Sequence, residues 1–295
     1  MKPAAFDYHD PDTIEECLAL LARFGDDAKI LAGGQTLGPL LNMRLATPAV
    51  LIDINRVAAL DYRRAEGAAL AIGALTRESA LEDDPSLAQR QRLLAETIPF
   101  IAHRAIRNRG TVGGSLAHAD PAAEWPALAT HLEAELVIRS AARPPRILSA
   151  DAFLISHLTT ALAPDELLCE IRLPPSPPAA GHAMLEFSRR HGDFALAGAM
   201  ASLARDPSGR LQAPRLTLFG IGSRPVRARN AEALLAGEQP ADALFAAAGA
   251  AAAAAIEPFD DLHASAEFRR HLTEVLTSRV LNAALARANG DNRDG

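Results

Sequence analysis

The chain has 295 residues, of which 49% are hydrophobic and 22% are charged, and its formal net charge is −6 at pH 7. This length exceeds that of a typical single domain, and the apolar content is enough to bury a substantial core. The negative charge argues against nucleic acid or an acidic membrane as a partner, and the alanine-rich run 245–256 is too short to span a bilayer. We therefore predict a two-domain cytoplasmic protein with no nucleic-acid binding and no membrane insertion.

The first part of the chain predicts a small unit of parallel strands. Its elements are a capped helix from Ile14 to Gly25, a strand at 28–31, a helix at 36–45 and a strand at 50–54. This order gives a unit of a strand, a loop, a helix and a second strand. The unit is about half the size of one mononucleotide-binding half of a dinucleotide-binding fold.

The second part predicts a mixed segment that ends in a proline run. Its elements are a strand at 68–72, a helix capped by Thr76, helices at 93–100 and 116–132, a strand at 135–138 and an edge strand at 167–173. Prolines at 174, 175, 177 and 178 cannot continue any regular element, so they predict a linker.

Beyond this linker the pattern predicts a separate α+β lobe. It consists of strands at 184–190, 197–205 and 215–221, followed by helices at 231–236, 241–256 and 266–288. We therefore predict an N-terminal domain over 1–175, with subdomains of about 1–56 and 57–175. A C-terminal domain over 179–289 would hold a three-stranded antiparallel sheet plus helices.

Two glycine pairs are the clearest functional signal. The first lies in Leu31-Ala-Gly-Gly-Gln-Thr-Leu37 and the second in Thr111-Val-Gly-Gly-Ser115. Glycine permits positive φ and close approach of the backbone to a ligand, and successive N–H groups in such a turn can bind an anion. Each pair alone is equally compatible with a plain tight turn. Their joint presence, without a P-loop or Rossmann motif, favours a pyrophosphate held between two parts of the chain.

The cysteine content limits the metal chemistry of this chain. Cys17 and Cys169 are the only cysteines, whereas an iron–sulfur cluster normally needs four cysteine ligands. Nor do they form a zinc-binding constellation. We predict no metal ligand in this chain and expect any metal or cluster to lie on another subunit.

Several longer motifs resemble one known family. They are 31–48, Ile52-Asp-Ile-Asn55, Ile72-Gly-Ala-Leu-Thr-Arg77, 106–121, Arg189-Arg-His-Gly-Asp-Phe-Ala195 and Ser265-Ala-Glu-Phe-Arg-Arg270. Together they make the chain similar to the FAD-binding medium subunit of the molybdenum hydroxylases, the xanthine dehydrogenase and carbon monoxide dehydrogenase family. The resemblance implies an α+β fold, in which two subdomains of the PCMH type clasp FAD and a C-terminal domain follows.

The resemblance also implies a set of cofactor-binding residues. Two groups would contact FAD through the glycine motifs: Ala32, Gly33, Gly34, Gln35, Thr36 and Leu37, and Thr111, Val112, Gly113, Gly114 and Ser115. Glu124 stands where the family usually has an aspartate facing the ribose, although it could equally be a carboxylate favoured by a helix N-terminus. Ile101 stands where the family places a side chain against the isoalloxazine, although it could equally be a core residue. Asp120 would lie near FAD, with a role in a turn as the alternative.

Other polar residues have simpler interpretations. Arg189, Arg190 and Asp193 lie in a segment that the family places near the flavin, although a solvated strand end would explain each of them. His103 and His118 lack a partner arrangement typical of a catalytic triad, which favours structural roles. The simplest interpretation of the basic cluster Arg104, Arg107 and Arg109 is a solvated face. Contact with flavin phosphates or with a partner subunit is the alternative. We predict no catalytic residue in this chain.

The resemblance implies a division of labour among subunits. Substrate would be hydroxylated at a molybdenum–pterin site on a large subunit, and electrons would pass through [2Fe–2S] clusters on a small subunit to this FAD and then to a terminal acceptor. A dimer of heterotrimers is the implied assembly. Two alternatives remain open: a stand-alone FAD oxidoreductase of the vanillyl-alcohol oxidase type, and a non-enzymatic assembly protein that has lost its cofactor.

Overall fold

The computed structural model describes residues 2–177 and 180–288 of the chain. The first subdomain is a three-stranded parallel sheet of order β1-β3-β2 with a helix against it. Its elements are β1 (Asp7–His9), α1 (Ile14–Phe24), β2 (Ala28–Leu31), α2 (Leu37–Asn42) and β3 (Val50–Asp53). The Thr13 hydroxyl caps α1 by accepting from the Glu16 N–H, and α1 ends at Gly25 with a φ of 49°. This arrangement places the first glycine pair directly after β2.

The second subdomain is an antiparallel five-stranded sheet of order β4-β5-β10-β6-β7, with seven short helices and a small hairpin around it. Its strands are β4 (Arg63–Glu66), β5 (Ala69–Gly73), β6 (Glu135–Ser140), β7 (Arg146–Ser149), β8 (Leu154–Ser156), β9 (Thr159–Thr160) and β10 (Glu166–Leu173). Its helices are α3 (Glu78–Glu82), α4 (Leu87–Arg90), α5 (Arg92–Thr97), α6 (Arg104–Arg107), α7 (Val112–His118), α8 (Glu124–Leu132) and α9 (Ala150–Phe153).

The prediction that residues 167–173 form an edge strand is wrong. Strand β10 lies at the centre of the sheet, paired with β5 on one side and β6 on the other. Its polar positions are buried because they have partners: Glu166 pairs with Arg146, and Glu170 accepts a hydrogen bond from the Tyr62 hydroxyl. The alternation of apolar and polar residues along this strand therefore reflects buried ion pairs and hydrogen bonds rather than a solvated face.

Two helix predictions in this subdomain also need correction. The segment 116–132 forms two helices, because Ala119 adopts a left-handed φ of 52° at the end of α7 and α8 begins anew at Glu124. Thr76 does not cap α3. Its hydroxyl donates to the Tyr62 carbonyl at 2.9 Å, and Arg77 occupies the N-cap position.

The C-terminal domain has a four-stranded antiparallel sheet of order β11-β12-β13-β14, on which the helices α10 and α12 pack, while α11 packs on these two helices. Its elements are β11 (Gly181–Phe187), β12 (Ala197–Arg205), β13 (Leu211–Phe219), β14 (Val226–Arg227), α10 (Arg229–Leu235), α11 (Asp242–Ala254) and α12 (Ala266–Ala288). The three predicted strands are present, and the two-residue β14 adds a fourth. The proline-rich linker is described only as far as Pro177, because residues 178 and 179 lie outside the described ranges.

The two domains meet through one continuous apolar core and a buried polar chain. Met184, Met200 and Phe219 of the C-terminal sheet pack into the core of the second subdomain. Beside them, the ring nitrogens of His131 and His182 both lie 2.7 Å from the hydroxyl oxygen of Ser202. The loop between β11 and β12 also contacts the N-terminal domain, because Gly192 lies against His103 and the His191 ring packs against Phe100. No helix in the described part of the chain could cross a membrane.

Candidate functional site

A cleft of about 740 Å³ lies between the two N-terminal subdomains and reaches the C-terminal domain. This volume falls in the upper range of ligand-binding cavities. The cleft brings together nearly all of the residues predicted to bind a cofactor: Ala32, Gly33, Gly34, Gln35, Thr36, Leu37, Ile101, Thr111, Gly113, Gly114, Ser115 and Glu124. Val112 is fully buried in the core instead. Asp120 also lies outside the lining, and its carboxylate accepts a hydrogen bond from the Ala122 N–H at 2.9 Å, as in an Asx-turn.

The first glycine pair presents free backbone donors to the cleft. Among the described residues, no acceptor is found for the N–H groups of the four residues from Gly33 to Thr36. Gly34 has a φ of 70°, a conformation that favours glycine. A Cβ at Gly33 would overlap the carbonyl oxygen of Arg109, so this glycine is required by contact with the second motif. Such a run of unpaired amides can bind a phosphate without any charged side chain.

The second glycine pair has a different role. Its amides already have acceptors: the N–H of Val112 donates to Thr76, that of Gly113 to Ala74, and that of Gly114 to the Thr111 hydroxyl. A Cβ at Gly113 would lie 2.5 Å from the Ala74 Cβ, so the pair allows α7 to pack closely on the end of β5. Free backbone donors are therefore found at the first pair and not at the second. The second motif instead offers the half-buried Ser115 hydroxyl, which has no partner in the described part of the chain.

Three carboxyl groups near the cleft have raised pKa values, which shifts each of them toward its protonated form. Burial raises the pKa of Glu78 to about 7, against the opposing effect of the Arg107 charge. Burial likewise raises the pKa of Glu186 to about 7. Burial first, and then the carboxylates of Glu186, Glu78 and Asp120, hold the pKa of Glu124 well above its usual range. A protonated Glu124 can donate a hydrogen bond to a ligand and adds no negative charge beside a phosphate.

The C-terminal domain supplies one wall of the cleft through Gly192, Asp193 and Phe194. This loop packs on the turn that carries Ile101. Gly192 has a φ of 85° and leaves no room for a Cβ beside the His103 ring. Ile101 is 7% exposed and both lines the cleft and joins the hydrophobic core, so the two interpretations of this residue are compatible.

The remaining charged residues divide between surface and core. Arg189 lies 3.5 Å from Asp193 in an exposed ion pair. The interpretation of Arg107 as part of a solvated face is wrong. Arg107 is buried, where it pairs with Glu82 at 2.7 Å and donates to the backbone carbonyl of Ile101. Its five guanidinium donors make it suited to holding a bent turn together. His118 lines the cleft, and burial lowers its pKa.

Sequence reasoning missed three polar residues that shape the cleft. Glu78 lines it directly, whereas Asn55 and Arg77 lie behind the two glycine motifs and hydrogen-bond to their backbones. Asn55 and Arg77 each end one of the motifs that carry the family resemblance. Their position at the ends of those motifs was the available signal, but the sequence does not show that they meet.

The cleft and its backbone donors are suited to a ligand that contains a pyrophosphate, and comparisons with known proteins identify the class of protein. The sequence profile described as the FAD binding domain in molybdopterin dehydrogenase matches residues 4–176. The profile of the CO dehydrogenase flavoprotein C-terminal domain matches residues 182–284.

Individual relatives match along nearly the whole chain. The 6-hydroxypseudooxynicotine dehydrogenase complex subunit alpha of Paenarthrobacter nicotinovorans is 42% identical over 98% of this chain and 97% of its own length. The caffeine dehydrogenase subunit beta of Pseudomonas sp. (strain CBB1) is 38% identical over 97% of each chain. A chain of the carbon monoxide dehydrogenase of Hydrogenophaga pseudoflava superposes with a TM-score of 0.93 and 39% identity, over 97% of this chain and 99% of that one.

The chain therefore belongs to the family of FAD-binding medium subunits of the molybdenum hydroxylases, of the carbon monoxide dehydrogenase type. It is a flavoprotein component of an oxidoreductase, and its cofactor is FAD. The family match confirms the resemblance and the predicted fold class, and it favours a molybdenum hydroxylase subunit over a stand-alone oxidase. The structure fits the cofactor, because the four amides after β2 that lack an acceptor among the described residues suit a pyrophosphate, and the carboxyl group of Glu124, whose pKa is raised by burial, lies in the same cleft.

Proposed function

We propose that this chain is the electron-exit subunit of a multisubunit molybdenum hydroxylase. It receives electrons at its bound FAD from [2Fe–2S] clusters on a small subunit and delivers them to a terminal acceptor. FAD supplies the ability to accept and release electrons, whereas the protein supplies binding, orientation and electrostatics. The observation that carries the proposal is the cleft itself, in which a run of free amides, a free hydroxyl and a buried carboxyl converge.

Within this cleft we propose a role for each group. The N–H groups of Gly33 to Thr36 hold the FAD pyrophosphate, and Ser115 adds a hydroxyl donor. Glu124 hydrogen-bonds the adenosine ribose, with its proton as the donor. Ile101 and the loop of Gly192 to Phe194 enclose the isoalloxazine and exclude water from it. The loop belongs to the C-terminal domain, so the flavin end of the site depends on the packing of the two domains.

Metal chemistry is placed on other subunits in this proposal. The two cysteines are free and buried in one apolar cluster, to which Cys17 of the first subdomain and Cys169 of the second both belong. Within residues 2–177 and 180–288, no group of three His, Cys, Asp or Glu side chains is placed to hold a metal ion. We propose that a large subunit carries the molybdenum–pterin, that a small subunit carries the [2Fe–2S] clusters, and that the complex is a dimer of heterotrimers in the cytoplasm. Relatives named for a nicotine derivative, for caffeine and for carbon monoxide share this chain type, which supports substrate choice on the large subunit.

The experiment that tests the proposal is purification of the chain co-expressed with its large and small partners. We expect one FAD per chain and a visible flavin spectrum. Gly34→Val should abolish FAD retention, because valine strongly disfavours a φ of 70° and its side chain would crowd Leu31. Gly38→Val is the matched control, since a Cβ at Gly38 meets nothing within 4 Å. A complete complex that contains no flavin would refute the function, and flavin retained by Gly34→Val would refute the role of the loop.

A further inference from the structure

Asn55 connects the first glycine loop to the rest of the first subdomain. Its side-chain amide donates to the carbonyl oxygen of Ala32 at 2.8 Å and to Asp53 at 2.6 Å. Asp53 is itself held by the Tyr8 hydroxyl at 2.7 Å and by the Asn55 N–H at 2.9 Å. Both donors of the Asn55 amide are therefore used, and its oxygen is left as an acceptor.

Arg77 fills that acceptor and reaches the second glycine motif. One guanidinium nitrogen donates to the Asn55 side-chain oxygen, and another donates to the backbone carbonyl of Arg109. That same carbonyl of Arg109 is the group that packs against Gly33. A planar, forked donor spans two acceptors in this way, whereas a lysine ammonium acts as a single point charge. The two side chains thus join the backbone before one glycine pair to the backbone before the other.

Anchoring the Ala32 carbonyl has a geometric consequence for the cleft. In a trans peptide the C=O and the following N–H point in opposite directions. When Asn55 holds the Ala32 oxygen, the Gly33 N–H is directed away from Asn55. This N–H is the first of the acceptor-free donors at the cleft. Neither Asn55 nor Arg77 lines the cleft, so both act through the backbone that they hold.

We propose that Asn55 and Arg77 form a clamp that orients the first glycine loop and thereby sets the affinity for the pyrophosphate of the cofactor. They are positioning residues that touch no part of the ligand. This inference rests on the proposed role of the cleft in binding FAD, and it assigns a function to two motifs, 52–55 and 72–77, that the binding residues alone leave unexplained.

The test separates the phosphate end of the ligand from the flavin end. The full chain, freed of cofactor, is titrated with FAD, with ADP, which has the pyrophosphate without the flavin, and with riboflavin, which has the flavin without the pyrophosphate. Asn55→Asp removes the donor to Ala32 but keeps an acceptor for Arg77. It also places a second carboxylate beside Asp53 and adds a negative charge, so the charge-neutral change Arg77→Lys described below decides the test. We expect about tenfold to hundredfold weaker binding of FAD and ADP, the effect of losing one well-oriented hydrogen bond to a charged group, and riboflavin binding within about twofold of wild type.

Two further variants complete the design. Arg77→Lys should weaken FAD and ADP binding in the same pattern, because lysine cannot bridge Asn55 and Arg109. Arg56→Gln is the matched control, since Arg56 follows Asn55 directly but is exposed, and its ion pairs within the described residues are with Asp10 and Asp12. Melting temperatures of the cofactor-free chains report any loss of stability. If Asn55→Asp does not fold, Arg77→Lys carries the test.

The possible results distinguish the clamp from the function beneath it. Wild-type chain that binds neither FAD nor ADP would refute the proposed function. Binding of FAD and ADP at wild-type strength by Arg77→Lys would overturn the clamp alone, because a loss confined to Asn55→Asp would be the effect of its added negative charge. An equal loss of riboflavin and ADP binding, or failure of both variants to fold, would also overturn it, because either result indicates a general structural role.

Discussion

Glu78 is the residue at which a single substitution has the clearest expected effect on stability. It opens α3, is 3% exposed, and lies so close to Gly110 that a Cβ there would overlap its carboxylate. Glu78→Gln keeps the shape of the side chain and removes the ionisable group. We expect the variant to be more stable than wild type at high pH and equally stable in acid.

The sign and size of this effect follow from the pKa values. The pKa of Glu78 is raised from its ordinary 4.5 to about 7 in the folded chain. Because the unfolded chain releases this proton near pH 4.5 and the folded chain only near pH 7, wild-type stability falls between these values as the pH rises. A pKa difference of about 2.5 corresponds to about 3 kcal/mol at 1.36 kcal/mol per unit. The stability advantage of Glu78→Gln over wild type should therefore grow by about 3 kcal/mol between pH 4 and pH 8.5.

The assay is urea denaturation of the cofactor-free chain at pH 4 and pH 8.5. Trp125 is the only tryptophan, and it lies in the core of the subdomain that contains Glu78, so its fluorescence reports the relevant unfolding. Glu82→Gln is the matched control. Hydrogen bonding from Arg107 lowers the pKa of Glu82, so this variant should instead lose stability at pH 8.5. A Glu78→Gln advantage that is the same at both pH values would refute the reasoning.

Two other predictions concern the contact between subdomains and the contact between domains. Gly33→Ala should destabilise the chain by about 1–3 kcal/mol, because its Cβ would overlap the Arg109 carbonyl and the backbone cannot move aside easily. Gly38→Ala in α2 should be neutral or stabilising. Thermal unfolding of both variants checks this prediction, and equal melting temperatures would contradict it. Burial lowers the pKa of His182 to about 4 from its ordinary 6.5, so wild-type stability should fall by up to about 3 kcal/mol as the pH drops from 6.5 to 4. The stability of His182→Asn, measured by urea denaturation, should depend less on pH. Parallel pH profiles for the two proteins would count against this role of His182.

Much of the local structure can be predicted from residue patterns. The spacing of Cys17, Leu18 and Leu21 fixes the buried face of α1, and a helix over 266–288 matches α12. These elements depend on periodicity and capping, which act within a few residues. The motifs around the two glycine pairs are specific enough to indicate the family and its cofactor, and the family comparisons confirm both. The domain boundaries near 175 and the individual FAD contacts stay predictions.

What the sequence could not provide depends on contacts between distant segments. An alternating strand such as β10 can lie at an edge or at a centre, and only its pairing with β5 and β6 decides between them. The burial of Arg107 likewise depends on Glu82, which lies 25 positions away. Periodicity has no access to such partners, so charged residues with buried partners resemble surface residues in sequence.

The glycine motifs show the same division most clearly. Their sequences are alike and predict two similar anion-binding turns. In the described part of the chain, no acceptor is found for the amides of the first motif, whereas in the second the N–H groups of Val112 and Gly113 donate to Thr76 and Ala74 and so join α7 to the end of β5. The presence of glycine alone determined that both backbone segments can closely approach a ligand or another part of the protein. Tertiary packing decided that the partner of one is a cleft and the partner of the other is protein, because a backbone N–H binds whichever acceptor the fold brings within reach.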